Sequence, residues 1–135
     1  MRILLKNRAL LKISGKDSEE FIQNQFSNDI EKLNHSSIQI NAYCQHQGKI
    51  IGLFWVMRYK DNFLLSFPLD LADVIKSRLQ IFIIMSDVII DDISASYSQI
   101  GLIDEKHSNA YSINDSLSLI IDNTIDKFNS KIEEN

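Results

Sequence analysis

The sequence predicts an α+β fold, with a mainly antiparallel sheet and two or three helices packed on it. Short apolar runs alternate with polar turns along much of the chain, which is typical of hairpin-linked strands. Two stretches, near 17–27 and 70–84, instead repeat apolar residues three and four positions apart, as amphipathic helices do. The resulting order is a strand and a helix, three hairpin-linked strands, a second helix and further strands. That order favours helices layered on an antiparallel sheet.

The first predicted elements are a strand over Ala9–Ile13 and the helix that follows it. Asp17 is in position to cap this helix, with Glu20 three residues later as its capping-box partner. Asn28 is predicted to end the helix in a left-handed conformation. The apolar face of the helix consists of Phe21, Ile22 and Phe26.

Three strands joined by tight turns are predicted between residues 38 and 67. The first alternates apolar and polar residues, which predicts a half-buried strand with Cys44 as a small buried residue. The second, Ile50–Met57, is almost wholly apolar, so we expect an interior strand covered on both sides. Phe63–Phe67 is the returning strand. The apolar positions of the first strand are Ile38, Ile40, Ala42 and Cys44.

The last third of the sequence predicts a helix over about 70–84, strands near 87–93 and 96–103, and a polar loop over 105–116. A further strand is predicted at Leu117–Ile121. Asp122 or Asn123 is then expected to cap a final helix. The apolar face of that helix would contain Ile125, Phe128 and Ile132.

Composition excludes several classes of protein. The chain has 135 residues, the length of one domain, and a net charge of −4 without a basic stripe, which argues against direct nucleic-acid binding. No apolar run approaches the roughly 20 residues that cross a membrane. A signal peptide is not predicted, because Lys6 and Arg8 interrupt the apolar N-terminus. These features and the single cysteine predict a cytoplasmic protein.

The titratable residues do not form a recognisable catalytic or metal-binding motif. Cys44 and His46 are two residues apart and would share a strand face, but a structural zinc site needs four ligands. His35 and His107 are far from them in sequence. We therefore predict no metal and no catalytic residue from spacing alone.

Four ordered segments resemble the superfamily of the glycine-cleavage T-protein and YgfZ. Phe21–Ile30, followed by Leu33, is similar to the family's FLQGQLTNDV…L segment, and Tyr43–Ile50 is similar to its C-x-x-x-G-K hairpin. The resemblance spans about residues 8–103, and the Gln23–Gln25 and Gly48–Lys49 segments favour the YgfZ branch. The two remaining segments are Ile13–Ser18 at the start, and Asp61–Leu65 with Leu79–Ile90 after the hairpin.

This resemblance implies a tetrahydrofolate-binding accessory protein that assembles or repairs iron–sulfur enzymes and is linked to tRNA modification. Its implied partners are folate and iron–sulfur enzymes or their assembly proteins. The alternatives are a folate-dependent aminomethyl or methyl transferase and a non-catalytic interaction domain. T-proteins carry an Asp-Asp pair shortly after a Gly-Gly turn. The matching positions here are Gly52 and Leu53, so we expect no transferase activity.

The family also implies how this chain would contribute to a folate site. A later signature of YgfZ proteins, KGCYxGQE, does not occur before Asn135, so residues 1–135 are expected to form a single N-terminal domain of a longer protein. Such a domain would supply one wall of a channel between domains. We expect it to bind folate weakly alone and to form a homodimer through an exposed apolar face. The predicted folate contacts are Gln25, Asn28, Asp29, Gln47 and Lys49.

Overall fold

The computed structural model describes residues 1–44 and 48–123. Within them, the α-helices are α1 (Ser18–Gln25) and α2 (Ala72–Phe82), and short 3-10 helices cover Ile30–Lys32 and Leu69–Leu71. The strands are β1 (Arg2–Leu4), β2 (Arg8–Ser14), β3 (Gln39–Cys44), β4 (Ile50–Tyr59), β5 (Asn62–Pro68), β6 (Ile89–Asp92), β7 (Tyr97–Ile103), β8 (Tyr111–Ser112) and β9 (Leu117–Asn123).

The strands form two antiparallel sheets, where the sequence predicted one. The five-stranded sheet has the order β3-β4-β5-β2-β6, and the four-stranded sheet has the order β1-β7-β9-β8. Strands β1 and β8 were not predicted. They contain only three and two residues, too few for an alternating pattern to show. The α+β class and the antiparallel pairing are confirmed.

The five-stranded sheet is the central layer of the molecule. Helices α1 and α2 pack on one of its faces through a large apolar cluster, whereas the four-stranded sheet covers part of the other face. Strand β2 shows this arrangement. Leu11 packs in the cluster that contains the helices, and its neighbour Leu10 packs in the cluster that contains residues of the second sheet. Successive strand residues point to opposite faces, so a strand between two layers must be apolar at both.

Strand β3 has the predicted alternation, but the wrong face was predicted to be buried. Tyr43 is only 3% exposed and points toward the helices, whereas Ile40 is 46% exposed and Cys44 is exposed. Ile38 has the same orientation as Ile40 and is buried, because it lies beneath the second sheet. A period of two defines the two faces of a strand, but which face is covered depends on the extent of the neighbouring layer.

Strand β4 lies in the sheet interior as predicted, but only its second half is covered on both sides. Phe54, Val56 and Met57 are fully buried. Near the hairpin turn, Ile50 and Leu53 are 58% and 55% exposed, so the prediction is wrong for that half.

The start of α1 is held by a tertiary contact and not by the predicted capping box. The Asp17 side chain makes no capping hydrogen bond. Its Oδ2 instead accepts the Asp87 backbone N–H at 2.8 Å. Gly15 lies in this loop with a φ of +108°, and a Cβ there would come within 2.1 Å of the Asp87 carbonyl oxygen. The close backbone approach therefore requires glycine at position 15.

The end of α1 also differs from the prediction. Phe26, and not Asn28, is the C-terminal cap, and its backbone is extended at φ −120° and ψ 164°. Asn28 is outside the left-handed region. It is held instead by strand β3, since its N–H donates to the Asn41 side-chain oxygen at 2.8 Å and its amide donates to the Ile40 carbonyl.

Helix α2 confirms the second predicted helix, with Ile75 and Leu79 fully buried. Strands β6, β7 and β9 match three predicted strands. Asp122 and Asn123, one of which was predicted to cap a final helix, are the last residues of β9, so the cap itself stays a prediction. The rest of that helix lies outside the described residues.

A buried polar group joins the two sheets. The Arg8 guanidinium donates to the Ser66 hydroxyl at 2.8 Å and to the Ser66 carbonyl at 2.9 Å. The Ser66 hydroxyl in turn donates to the side-chain oxygen of Gln99 on β7. Arg8 also lies 3.7 Å above the centre of the Trp55 ring. Burial lowers the pKa of Arg8 to about 10, so the group remains charged at neutral pH.

Candidate functional site

Two of the predicted folate contacts have structural roles at the end of α1. Asn28 anchors this segment to β3 through the hydrogen bonds described above. The Asp29 carboxylate accepts the Glu31 N–H at 3.0 Å and caps the following 3-10 helix. Both side chains are exposed, so they remain accessible to a ligand while they serve the fold.

The other predicted contacts lie on either side of the β3–β4 turn and on α1. Lys49 is exposed immediately before β4, next to Gly48, whose φ of +78° makes the turn. Gln47 lies outside the described residues. Gln25 is half-buried at the end of α1 and lines a cleft together with the end of β3.

This cleft, which we call the helix cleft, has a volume of about 570 Å³ and lies between α1, the end of β3 and the end of α2. Its volume is within the range of about 300–1,000 Å³ that is typical of small-molecule sites. Phe21 and Phe82 provide its aromatic surface. The full lining is Asp17, Glu20, Phe21, Asn24, Gln25, Tyr43, Cys44, Arg78, Phe82 and Ser86.

Tyr43 is the buried polar residue of the helix cleft. Its ring packs against Phe26 and Phe54, with centroid distances of 5.6 and 5.7 Å. Its hydroxyl makes no hydrogen bond to any residue that the structure describes. Leaving a buried polar group unpaired typically costs about 1–3 kcal/mol, so a bound partner for this hydroxyl would be favourable.

Arg78 is the only cationic side chain among the described residues that line the helix cleft. Burial raises the pKa of the Tyr43 phenol, and the nearby Arg78 guanidinium partly opposes that rise. Arg78 is half-exposed and forms no ion pair within residues 1–44 and 48–123. Electrostatically, this end of the cleft favours a negatively charged group.

Sequence reasoning missed both Tyr43 and Arg78. Tyr43 was taken as a polar member of β3, because the apolar face of that strand was misassigned. Arg78 had a recognisable signal, since it lies three residues after Ile75 and four before Phe82, within the apolar stripe of α2. A cation in such a stripe indicates either a buried ion pair or a polar cavity.

A second surface surrounds Leu53 on strand β4. Ala42 is the direct cross-strand partner of Leu53, and Ile40 is the partner of Trp55. These residues share one face, beyond the edge of the four-stranded sheet. We call it the open apolar face. An apolar pocket of about 180 Å³ lies beside it between the sheets, with Trp55, Leu5 and Leu119 in its wall.

Neither a metal cluster nor a membrane helix was found in the part of the chain that the structure describes. There, no three His, Cys, Asp or Glu side chains converge on one point. None of the described helices has the length and apolar character needed to span a bilayer.

Comparison with known proteins finds relatives in sequence and in structure. No protein-family model matches the chain. The chain is 30% identical over 94 residues to the tRNA-modifying protein YgfZ of Buchnera aphidicola subsp. Schizaphis graminum, a match that covers 70% of the chain and 30% of that protein. It is 36% identical over 53 residues to an aminomethyltransferase of Caldanaerobacter subterraneus subsp. tengcongensis, covering 39% of the chain and 14% of the enzyme.

One structural relative is the glycine cleavage system aminomethyltransferase T from Bartonella henselae. It superimposes with a TM-score of 0.66 at 12% identity, over 74% of this chain and 27% of the enzyme. This likeness shows the fold. The matched part of the chain thus spans less than a third of each relative's length. Because sequence and fold agree, the chain is a YgfZ/T-protein-like polypeptide.

Proposed function

We propose that this chain is part of a tetrahydrofolate-binding accessory protein that supports the assembly or repair of iron–sulfur enzymes. The 94-residue match to a YgfZ protein supports this proposal, and that relative's name connects it with tRNA modification. In the proposal, residues 1–135 form an N-terminal domain of a longer cytoplasmic protein. Folate is its ligand, and iron–sulfur enzymes or their assembly proteins are its partners.

The proposed folate contacts remain Gln25, Asn28, Asp29, Gln47 and Lys49. Lys49 is exposed, so its ammonium group can pair with the carboxylates of the folate glutamate tail. The open apolar face adds surface against which an aromatic ligand could pack, since Leu53 and Ile40 are 55% and 46% exposed there.

The test of this proposal deletes the gene that encodes the chain. An iron–sulfur enzyme and the tRNA modification that depends on it are then measured. We expect both to decrease and to recover when the wild-type gene is restored. A Lys49→Ala version should restore less than wild type, and Lys106→Gln, a control on the exposed loop before β8, should restore fully. Unchanged activities in the deletion strain would contradict the proposal.

Aminomethyl transfer is the alternative enzymatic function, favoured by the match to an aminomethyltransferase. The chain carries Gly52 and Leu53 where the T-protein pair is expected, and leucine cannot take or hold a proton. A Cβ on Gly52 would come within 3.0 Å of the Leu71 side chain, so a carboxylate there would also require repacking. We expect no turnover with tetrahydrofolate and an aminomethyl-loaded carrier protein. Turnover at the rate of a T-protein would establish the transferase.

A non-catalytic interaction domain is the third candidate, and the exposed apolar side chains favour it. Ile81, Ile84 and Met85 at the end of α2 are 63%, 74% and 101% exposed. Exposed apolar patches of this kind commonly mark protein contacts. If tetrahydrofolate fails to bind the longer protein at millimolar concentration while partner enzymes are still retained, this function replaces the folate-dependent one.

A further inference from the structure

We propose that the helix cleft is a binding site for a small ligand with the chemistry of an amino acid: one carboxylate, an N–H donor and an apolar body. The site is distinct from the open apolar face, and it shares only Gln25 with the proposed folate contacts. The inference does not rest on the proposed function, because its main recognition groups, Tyr43 and Arg78, are not among the proposed folate contacts.

The carboxylate would bind at the end of the cleft where Tyr43 and Arg78 lie. Tyr43 is only 3% exposed, and its hydroxyl has no hydrogen-bond partner among the described residues. Since the ring is enclosed by Phe26 and Phe54, the hydroxyl is the part of the side chain that remains to face the cleft. A guanidinium and a phenol together form a donor pair that suits a carboxylate.

The N–H donor of the ligand would be recognised by the acidic residues of the same cleft. Glu20 is exposed, and Asp17 uses one carboxylate oxygen, Oδ2, to accept the Asp87 N–H. Two carboxylates against one guanidinium make the cleft unfavourable for a dianion such as phosphate. They favour a ligand whose own positive or donor group balances its carboxylate.

The apolar body of the ligand would lie against Phe21 and Phe82. Phe82 is 46% exposed at the end of α2, which is unusual for a residue on the apolar stripe of a helix. Asn24 and Gln25 complete the wall with neutral amides. Aromatic walls with a few directed polar groups are typical of small-molecule pockets.

The experiment titrates L-phenylalanine into the protein and follows the backbone amide resonances of the helix cleft. 3-Phenylpropionate, phenethylamine and inorganic phosphate are titrated in parallel. We expect saturable binding of L-phenylalanine, about tenfold weaker binding of phenethylamine, which lacks the carboxylate, and weaker binding of 3-phenylpropionate, which lacks the ammonium group. Phosphate should not saturate the site.

Two variants test whether Tyr43 and Arg78 contact the ligand. Tyr43→Phe removes only the hydroxyl and keeps the ring, whereas Arg78→Gln removes the charge from a half-exposed helix position. Each should weaken L-phenylalanine binding by about threefold to tenfold. Lys106→Gln, which makes the same charge change on the loop before β8, should leave the affinity unchanged. The amide spectrum of each variant reports whether it is folded.

Several results would overturn the proposal. Absence of saturation by L-phenylalanine would remove the site, and so would equal affinity of wild type and Arg78→Gln. Binding of 3-phenylpropionate as tight as that of L-phenylalanine would show that the acidic residues do not recognise an ammonium group, and would exclude an amino acid as the ligand. If phosphate bound more tightly than L-phenylalanine, the cleft would be a site for a simple anion and not for an amino acid.

Discussion

The two halves of strand β4 are both apolar, yet they have opposite environments. Phe54, Val56 and Met57 are fully buried, because the helices cover one face and the second sheet covers the other. Ile50 and Leu53, a few residues earlier, are more than half exposed. The half near the turn extends beyond the four-stranded sheet, so its outward face has no covering layer within the described residues.

This difference shows that an apolar run can serve two purposes in one strand. The buried half stabilises the domain, whereas the exposed half is apolar surface of the kind that commonly marks a binding site. The following predictions test that contrast.

The largest expected effect is the truncation of Phe54. Its ring stacks on Phe67 at 4.7 Å and contacts Phe26 at 5.0 Å, so Phe54→Ala should lower the free energy of unfolding by about 3–5 kcal/mol. Leu53→Ala, one residue away, should change it by less than about 0.5 kcal/mol. Urea denaturation measures both. Similar losses for the two variants would show that the halves of β4 are equally buried.

A smaller loss is expected where the two sheets are joined. Ser66→Ala removes the hydroxyl that lies between Arg8 and Gln99 and leaves both side chains without that partner. The free energy of unfolding should decrease by about 1–3 kcal/mol. Ser77→Ala on the exposed side of α2 is the matched control and should be nearly neutral. A neutral Ser66→Ala would indicate that the polar group does not hold the sheets together.

The exposed half of β4 and the end of α2 are the two surfaces expected to support a homodimer. Leu53→Lys and Ile84→Lys each place a charge on one of them, and the variant at the true interface should weaken the dimer by at least about tenfold. Leu117→Lys, on the four-stranded sheet, is the control. Sedimentation at several protein concentrations gives the dissociation constants. A strictly monomeric chain would refute the dimer.

The smallest effect is expected for folate and Lys49. With only one wall of a site, the chain alone should bind tetrahydrofolate with a dissociation constant of about 1 mM or more, equivalent to about 4 kcal/mol. Lys49→Ala should weaken this by no more than about fivefold, because exposed ion pairs contribute about 0.2–1 kcal/mol. Isothermal calorimetry provides both values. Micromolar binding would mean that the chain contains a complete site.

The candidate site was less predictable than the strands and helices. Gln25 was predicted from the family resemblance as a folate contact; it lines the helix cleft, and its contact with folate stays a prediction. Tyr43 and Arg78 were missed, because they are far apart in sequence and their proximity depends on how α2 and β3 pack against the same sheet. Cys44 was expected to be buried and is exposed, since β3 is an edge strand with one end uncovered.

By itself, the sequence determined the positions of α1, α2 and most strands, because apolar periodicity and polar turns act over a few residues. It also indicated the YgfZ/T-protein likeness through short ordered segments. The tertiary structure alone decided that there are two sheets, that Asp17 binds Asp87 and not its own helix, and that Ile40 and Leu53 are exposed. These features depend on which segments, distant in sequence, pack on each face of the five-stranded sheet. The local sequence of a strand does not determine that packing.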